Sequence, residues 1–128
     1  MTNESMGPQD SGAHVESLSA ITLATHDMPR AVRFYEALGF RIVHGGANEA
    51  FTSFALGSSF LNLTSETHGP IQFWGRVIIY VSDVDAFYRM ALAHGIEPQF
   101  APRDAPWNER YFHLTDPDGH ELSFARPL

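Results

Sequence analysis

Residues Trp107 to Phe124 read W-N-E-R-Y-F-H-L-T-D-P-D-G-H-E-L-S-F. Tyr111, His113 and Thr115 alternate with Phe112 and Leu114, the period-two pattern of a strand whose two faces meet different surroundings. Asp116-Pro117-Asp118-Gly119 then composes a tight turn. Proline fixes φ, the aspartates bond nearby backbone N–H groups, and glycine supplies a positive φ. Beyond the turn, Leu122 and Phe124 alternate with Glu121, Ser123 and Ala125, so a second strand returns antiparallel to the first. One face of this hairpin is greasy and belongs to a core. The other carries Tyr111, His113 and Ser123, which implies a sheet with helices on one side and a cavity on the other.

Upstream of the hairpin a unit recurs. Leu18 to Thr25 alternates, with Leu18, Ile21 and Leu23 as its larger apolar members. Asp27 stands where a helix N-cap belongs, and Pro29 falls in the first turn, where its missing N–H costs little. The helix runs to about Leu38, with Val32, Tyr35 and Leu38 on one side, Phe34 nearby and Gly39 as its stop. Three short strands follow, Phe40–His44, Phe51–Leu56 and Phe60–Thr64, punctuated by Gly45-Gly46 and Gly57-Ser58. After a linker opening on His68-Gly69-Pro70 the pattern restarts: strand Gly75–Val81, cap Asp83, helix Ala86–Ala93, stop Gly95, and Ile96 in the place of Phe40.

One offset of 56 residues pairs Asp83 with Asp27, Gly95 with Gly39, Ile79 with Leu23 and Val77 with Ile21. A strand-helix-strand-strand-strand unit is therefore present twice. The second copy continues through Gln99–Ala101 and a loop rich in Pro and Asp, Pro102 to Pro106, before the hairpin. The fold class is α+β. Residues 1–16 form a polar tail expected to be disordered, and 17–128 a single domain. Module one spans about 17–66, the linker about 67–73 and module two about 74–128.

Composition narrows the function. The chain has 128 residues, 44% of them hydrophobic, with ten Phe, four Tyr and two Trp, enough for a real core. No apolar run approaches the roughly 18 residues needed to span a bilayer, and Met1 to Glu16 lacks the apolar region of a secretory signal. Absence of cysteine excludes disulfides and thiol chemistry and suits a reducing cytoplasm. A net charge of −7 argues against nucleic acid as a partner.

Two such units closing on D-P-D-G-H-E-L-S-F resemble the vicinal oxygen chelate superfamily. That superfamily includes glyoxalase I, extradiol dioxygenases, fosfomycin-resistance enzymes and bleomycin-resistance proteins. The resemblance covers Leu18 to Phe124. It implies that each module curls its strands into half of a barrel-like mixed sheet, with helices outside and a ligand cleft inside.

Metal-using members place one ligand on the first and one on the last strand of each module. By motif those positions are Ala20 and Arg76, each seven residues before the capping Asp, and Asn62 and Ser123. Metal ligation wants imidazole or carboxylate donors. Ala20 has none, Asn62 and Ser123 are neutral oxygens, and Arg76 repels a cation. The resemblance is thus to the metal-free, bleomycin-resistance-type members, with no metal and no other cofactor. His113 and His120 flank the turn on different faces, and His26, His44, His68 and His94 fall at turns or element ends, where solvated histidines are usual.

If those four positions face inward, alternation supplies the rest of the cleft. Ala20, Thr22 and Ala24 make a small-residue wall, with Phe51 and Ser53, then Phe60 and Asn62, on the neighbouring strands. Arg76, Ile78 and Tyr80 line the opposite side with Tyr111, His113 and Ser123, while Trp74 and Trp107 stand near the mouth. Arg76 is expected to find Glu49, Glu109 or another internal carboxylate. The candidate ligand-binding residues are Phe51, Phe60, Asn62, Trp74, Arg76, Tyr80, Trp107, Tyr111, His113 and Ser123.

This lining describes a slot for a flat, largely apolar molecule oriented by a few polar groups. Two functions fit it. One is stoichiometric capture of a hydrophobic or aromatic drug of bleomycin, mitomycin or enediyne type, which would confer antibiotic resistance without chemistry. The alternative is a metal-independent lyase, isomerase or cyclase, with His113 as acid or base and Arg76 stabilising an oxyanion. By resemblance the chain is expected to form a homodimer with two pockets at or near the interface.

Overall fold

The computed structural model describes residues 12–128. Of the expected disordered tail, residues 1–11 lie outside the described residues, and 12–16 are exposed without helix or strand. Element order is β1 (Ala20–Ala24), α1 (Met28–Ala37), β2 (Arg41–His44), β3 (Phe51–Leu56), β4 (Ser59–Thr64), β5 (Arg76–Tyr80), α2 (Val84–Ala93), β6 (Arg103–Asp104), β7 (Glu109–Thr115) and β8 (Glu121–Pro127).

The strands form two four-stranded sheets, ordered β1-β4-β3-β2 and β5-β8-β7-β6. In each, the first strand runs parallel to the fourth and the other pairs are antiparallel. This is a tandem βαβββ architecture of α+β class. The sheets stay separate and do not close into a barrel.

The repeat seen in the sequence is a repeat of backbone geometry. Asp27 and Asp83 both sit at φ −152°, and each side chain accepts the N–H three residues on, of Arg30 and Ala86, at 3.0 Å. Both helices end at a glycine in the left-handed region, Gly39 at φ 88° and Gly95 at 77°. That conformation is costly for any residue with a Cβ.

Strand alternation sorts the faces. Leu23, Phe54, Leu61, Leu63, Phe112, Leu114, Leu122 and Phe124 are completely or almost completely buried, together with Val32 and Tyr35 from α1, its C-cap Leu38, and Val84 and Ala91 from α2. Each large side chain removed from water in this way contributes roughly 1.5–3 kcal/mol. The opposite faces keep Phe51, Phe60, Ile78 and Tyr80 exposed.

Two local expectations differ from the structure. Leu18 is 73% exposed rather than part of the apolar stripe, because the β1 ladder begins at Ala20. In the second module the expected strand at Gln99–Ala101 is replaced by the two-residue β6, paired through Arg103 with Tyr111 and Asp104 with Arg110. Pro98 and Pro102 lack the N–H a ladder needs, and Gln99 makes only a single backbone bond, donating to His113 O at 2.9 Å.

The D-P-D-G turn clasps the two modules together. Buried Asp116 accepts the Tyr35 hydroxyl from α1 at 2.8 Å through Oδ2, and the N–H groups of Asp118 and His120 at 2.9 Å through Oδ1. Asp118 Oδ1 accepts the His26 N–H at 2.9 Å and Arg30 Nη2 at 3.2 Å. The His26 ring stacks on His68 at 3.8 Å, so these two are clasp residues rather than freely solvated ones.

A sharper local constraint lies between β2 and β3. The Gly46 N–H donates to Thr52 Oγ1, which donates back to the Gly46 carbonyl, pulling the turn tight beside a register shift. A Cβ on Gly45 would lie 2.1 Å from the Phe51 carbonyl oxygen, at a backbone φ of 80°. Gly45→Ala is therefore expected to cost roughly 2–3 kcal/mol, read as a lowered urea midpoint with an unchanged m-value.

Candidate ligand-binding site

The strand edges β1 and β5 face one another across a cleft of about 520 Å³. Its walls include Leu18, Ala20, Phe60, Arg76, Ile78 and Tyr80. A second cavity of about 200 Å³ shares Arg76 and Ile78 with it and adds Trp107, Glu109, Tyr111, His113 and Ser123. Seven of the ten candidate residues thus line one or both cavities. Phe51, Asn62 and Trp74 do not.

The three outliers have physical reasons. Phe51 pairs with Thr64 at the far end of its sheet. Asn62 is spent within module one, accepting from Ser53 Oγ at 2.7 Å and donating to Thr22 Oγ1 at 3.2 Å. Trp74 donates its indole N–H to His120 Nδ1 at 2.8 Å, while His120 Nε2 lies 2.8 Å from the Ala24 carbonyl. The indole donor requires Nδ1 to be the acceptor, so Nε2 carries the proton and donates to Ala24 O. Trp74 is therefore part of a module-to-module clasp.

The mouth of the smaller cavity is a tied hairpin. Asn108 adopts φ 67°, and its N–H donates to Ala105 O while Ala105 N–H donates to Glu109 O. Arg110 fixes the base, donating to both oxygens of Asp85 and to Asp104, each at 2.9 Å. Within that frame Glu109 accepts the Trp107 indole N–H at 3.0 Å and the Tyr80 hydroxyl. Trp107 lies 5.5 Å, ring to ring, from Tyr111, so Trp107, Tyr111 and Tyr80 form one aromatic rim.

The floor is polar. Arg76 pairs across the parallel ladder with Glu121 at 3.6 Å, not with Glu49 or Glu109. Glu121 shares the Ser123 face, since they lie two positions apart on one strand, and that alternation was its available sequence signal. Gln99 and Thr115 each donate to Glu121, at 2.6 and 2.9 Å. Burial alone would raise the Glu121 carboxyl, but those two bonds and the Arg76 charge outweigh it and hold it below the usual carboxylate range.

His113, between Tyr111 and Phe100, is lowered by burial first and then by Arg76; Glu121 opposes and Arg103 reinforces the shift. The ring is thus neutral at pH 7. NMR titration is expected to give His113 a midpoint below that of an exposed histidine. Arg76→Gln should raise that midpoint while leaving it below the exposed value, because burial is the larger cause.

The metal ligands of a vicinal-oxygen-chelate centre do not fit these residues. Ala20 has no donor, the Asn62 amide is engaged, Arg76 is a cation, and Ser123 is a hydroxyl. Among the described residues no three His, Cys, Asp or Glu side chains are grouped to hold a metal ion.

The family model for the glyoxalase/bleomycin resistance protein/dioxygenase superfamily matches residues 17–124. Among solved structures, a bleomycin-binding protein complexed with bleomycin is 25% identical, with a TM-score of 0.70 over 89% of this chain and 100% of the other. A bleomycin resistance determinant encoded on the transposon Tn5 is also 25% identical, with a TM-score of 0.71 over 88% and 98%. A lactoylglutathione lyase from Agrobacterium tumefaciens shares the fold at 20% identity, with a TM-score of 0.72 over 88% and 94%. No curated protein matches the sequence. Doubled βαβββ topology, D-P-D-G turn and family match agree over the same residues: the chain belongs to the glyoxalase/bleomycin resistance protein/dioxygenase superfamily.

Proposed function

We propose that this protein is a metal-independent small-molecule binder that captures a hydrophobic or aromatic drug, and that it confers antibiotic resistance in the cytoplasm by sequestration. The observation that carries this reading is the lining of the 520 Å³ cleft. Exposed Phe60, Ile78 and Tyr80 face a small-residue wall at Ala20, without a metal-ligating set at the four inherited positions. Cavities of this size and apolar character suit a drug-sized ligand. The bleomycin-complexed relative supports the choice of ligand class. An acid-base enzyme is the second reading, favoured by a neutral His113 within the same cavity as Arg76.

The discriminating experiment titrates chelator-treated protein with planar aromatic antibiotics while following tryptophan fluorescence, then recovers and weighs the ligand. Saturable quenching with the ligand recovered unchanged is the expected result. The signal should survive Trp74→Phe and vanish in Trp107→Phe, since Trp107 lines the smaller of the two cavities and Trp74 lines neither. Recovery of an altered mass would make the protein an enzyme. The open sheet faces, with Phe51, Phe60, Ile78 and Tyr80 uncovered, also support a homodimer. A monomeric mass at micromolar concentration would refute that assembly.

A further inference from the structure

Arg76 occupies an inherited metal position and yet is not consumed by the fold. Its side chain is 30% exposed, and it meets Glu121 only as an ion pair at 3.6 Å. Glu121 is the one described carboxylate it pairs with, through a long contact from Nη2 that engages a single edge of the guanidinium. The Phe73 ring lies 5.5 Å from the guanidinium carbon. Most of the five N–H donors of this solvent-accessible planar cation are therefore open to a ligand at the junction of the two cavities.

The surrounding acceptors already have partners. Glu121 accepts from Gln99 and Thr115 and pairs with Arg76, Glu109 accepts from Trp107 and Tyr80, and the Tyr111 hydroxyl accepts from Arg103 at 3.2 Å. Ser123, 5% exposed, and the His113 ring are also without hydrogen-bond partners among the described residues and face the same 200 Å³ space. The spare capacity of the site is thus dominated by donors, with one fixed positive charge. A ligand that completes it brings a pair of oxygen acceptors, and a negative charge on that pair suits the guanidinium.

We propose that Arg76 takes the place of the metal ion, so that the cleft selects planar aromatic acids: the ring lies against Phe60, Ile78 and Tyr80, and a carboxylate or equivalent anionic oxygen pair is held bidentately by the guanidinium beside Ser123 and His113. The Glu121 ion pair engages one edge of the guanidinium through Nη2 and leaves the remaining donors to the ligand. Arginine suits this task better than lysine because its planar fork matches two oxygens at once. This inference rests on the reading of the cleft as a ligand pocket, and its test separates the two.

Three probes of one shape, naphthoate, naphthamide and naphthylmethylammonium, would be titrated calorimetrically into the full chain. The expected order is naphthoate tightest and the ammonium weakest, with a gap of about tenfold or more. Arg76→Lys should cost naphthoate several-fold, and Arg76→Met should erase the preference among the three probes. Circular dichroism would check that each variant is folded. Equal binding of all three probes, unchanged in Arg76→Met, overturns the acid selectivity while leaving capture intact. Tightest binding of the ammonium assigns recognition to Glu109 instead and likewise overturns it. No binding by any probe or by the antibiotic panel overturns both readings.

Discussion

Asp116→Ala is expected to destabilise the fold by about 3–5 kcal/mol, a large share of the stability of a domain this size. The side chain is 4% exposed and serves three donors from two modules. Truncation leaves the Tyr35 hydroxyl and two backbone N–H groups buried without acceptors. Asp116→Asn should be far milder, near 1 kcal/mol. Its carbonyl oxygen keeps both backbone bonds, and the Tyr35 hydroxyl can turn to accept from the new amide. Urea denaturation of the two variants checks the contrast; equal losses would show that the acceptor geometry is not what matters.

The same pair predicts a pH signature. Burial pushes the Asp116 carboxyl up, against the opposing pull of its hydrogen bonds and His120. Between the ordinary aspartate value and this raised one, the folded chain holds a proton that the unfolded chain has released. Stability contributed by Asp116 is therefore full below the ordinary value and falls as pH rises through the native one. Wild type should lose stability relative to Asp116→Asn across that acidic window. At the other extreme, burial and then the Asp116 charge push the Tyr35 hydroxyl well above the ordinary tyrosine range. Alkali should consequently erode stability above about pH 10 in wild type and less so in Tyr35→Phe.

Ala20→Trp is expected to abolish ligand capture, by roughly a hundredfold or more, while leaving the fold intact. Ala20 is on the small-residue wall and faces Arg76 and Tyr80 across the larger cavity. An indole there takes the volume a flat ligand needs and removes its stacking partners, which are worth about 0.5–1.5 kcal/mol each beyond area burial. The side chain points away from the core face that buries Leu23, so strand packing is preserved. Fluorescence titration against wild type, with thermal unfolding as a control, measures both parts. Retained affinity in a folded Ala20→Trp protein would move the ligand site away from the β1–β5 cleft.

Much of this molecule is legible in residue order alone. The duplicated unit, its two capping aspartates, its two glycine stops and the buried or open face of nearly every strand depend on spacings of a few residues. Backbone preference and alternation act at that range, so Asp27 and Asp83 predict the same cap and form it. The inherited metal positions are legible for the same reason, since each is counted from a local landmark. Proline in 98–106 was the one strong local cue that the second module would lose its regular strand there.

What residue order does not reveal is which open-face groups meet. Arg76 finds Glu121 because parallel pairing sets them side by side, 45 residues apart in the chain. Glu109 is drawn instead to Tyr80 and Trp107, and Trp74 leaves the mouth to bind His120. The separation of the two sheets is likewise a tertiary outcome. These contacts are set by strand register and by the packing of one module on the other, both non-local, and many partners would satisfy a charge or an indole N–H equally well until the backbone places one of them within reach.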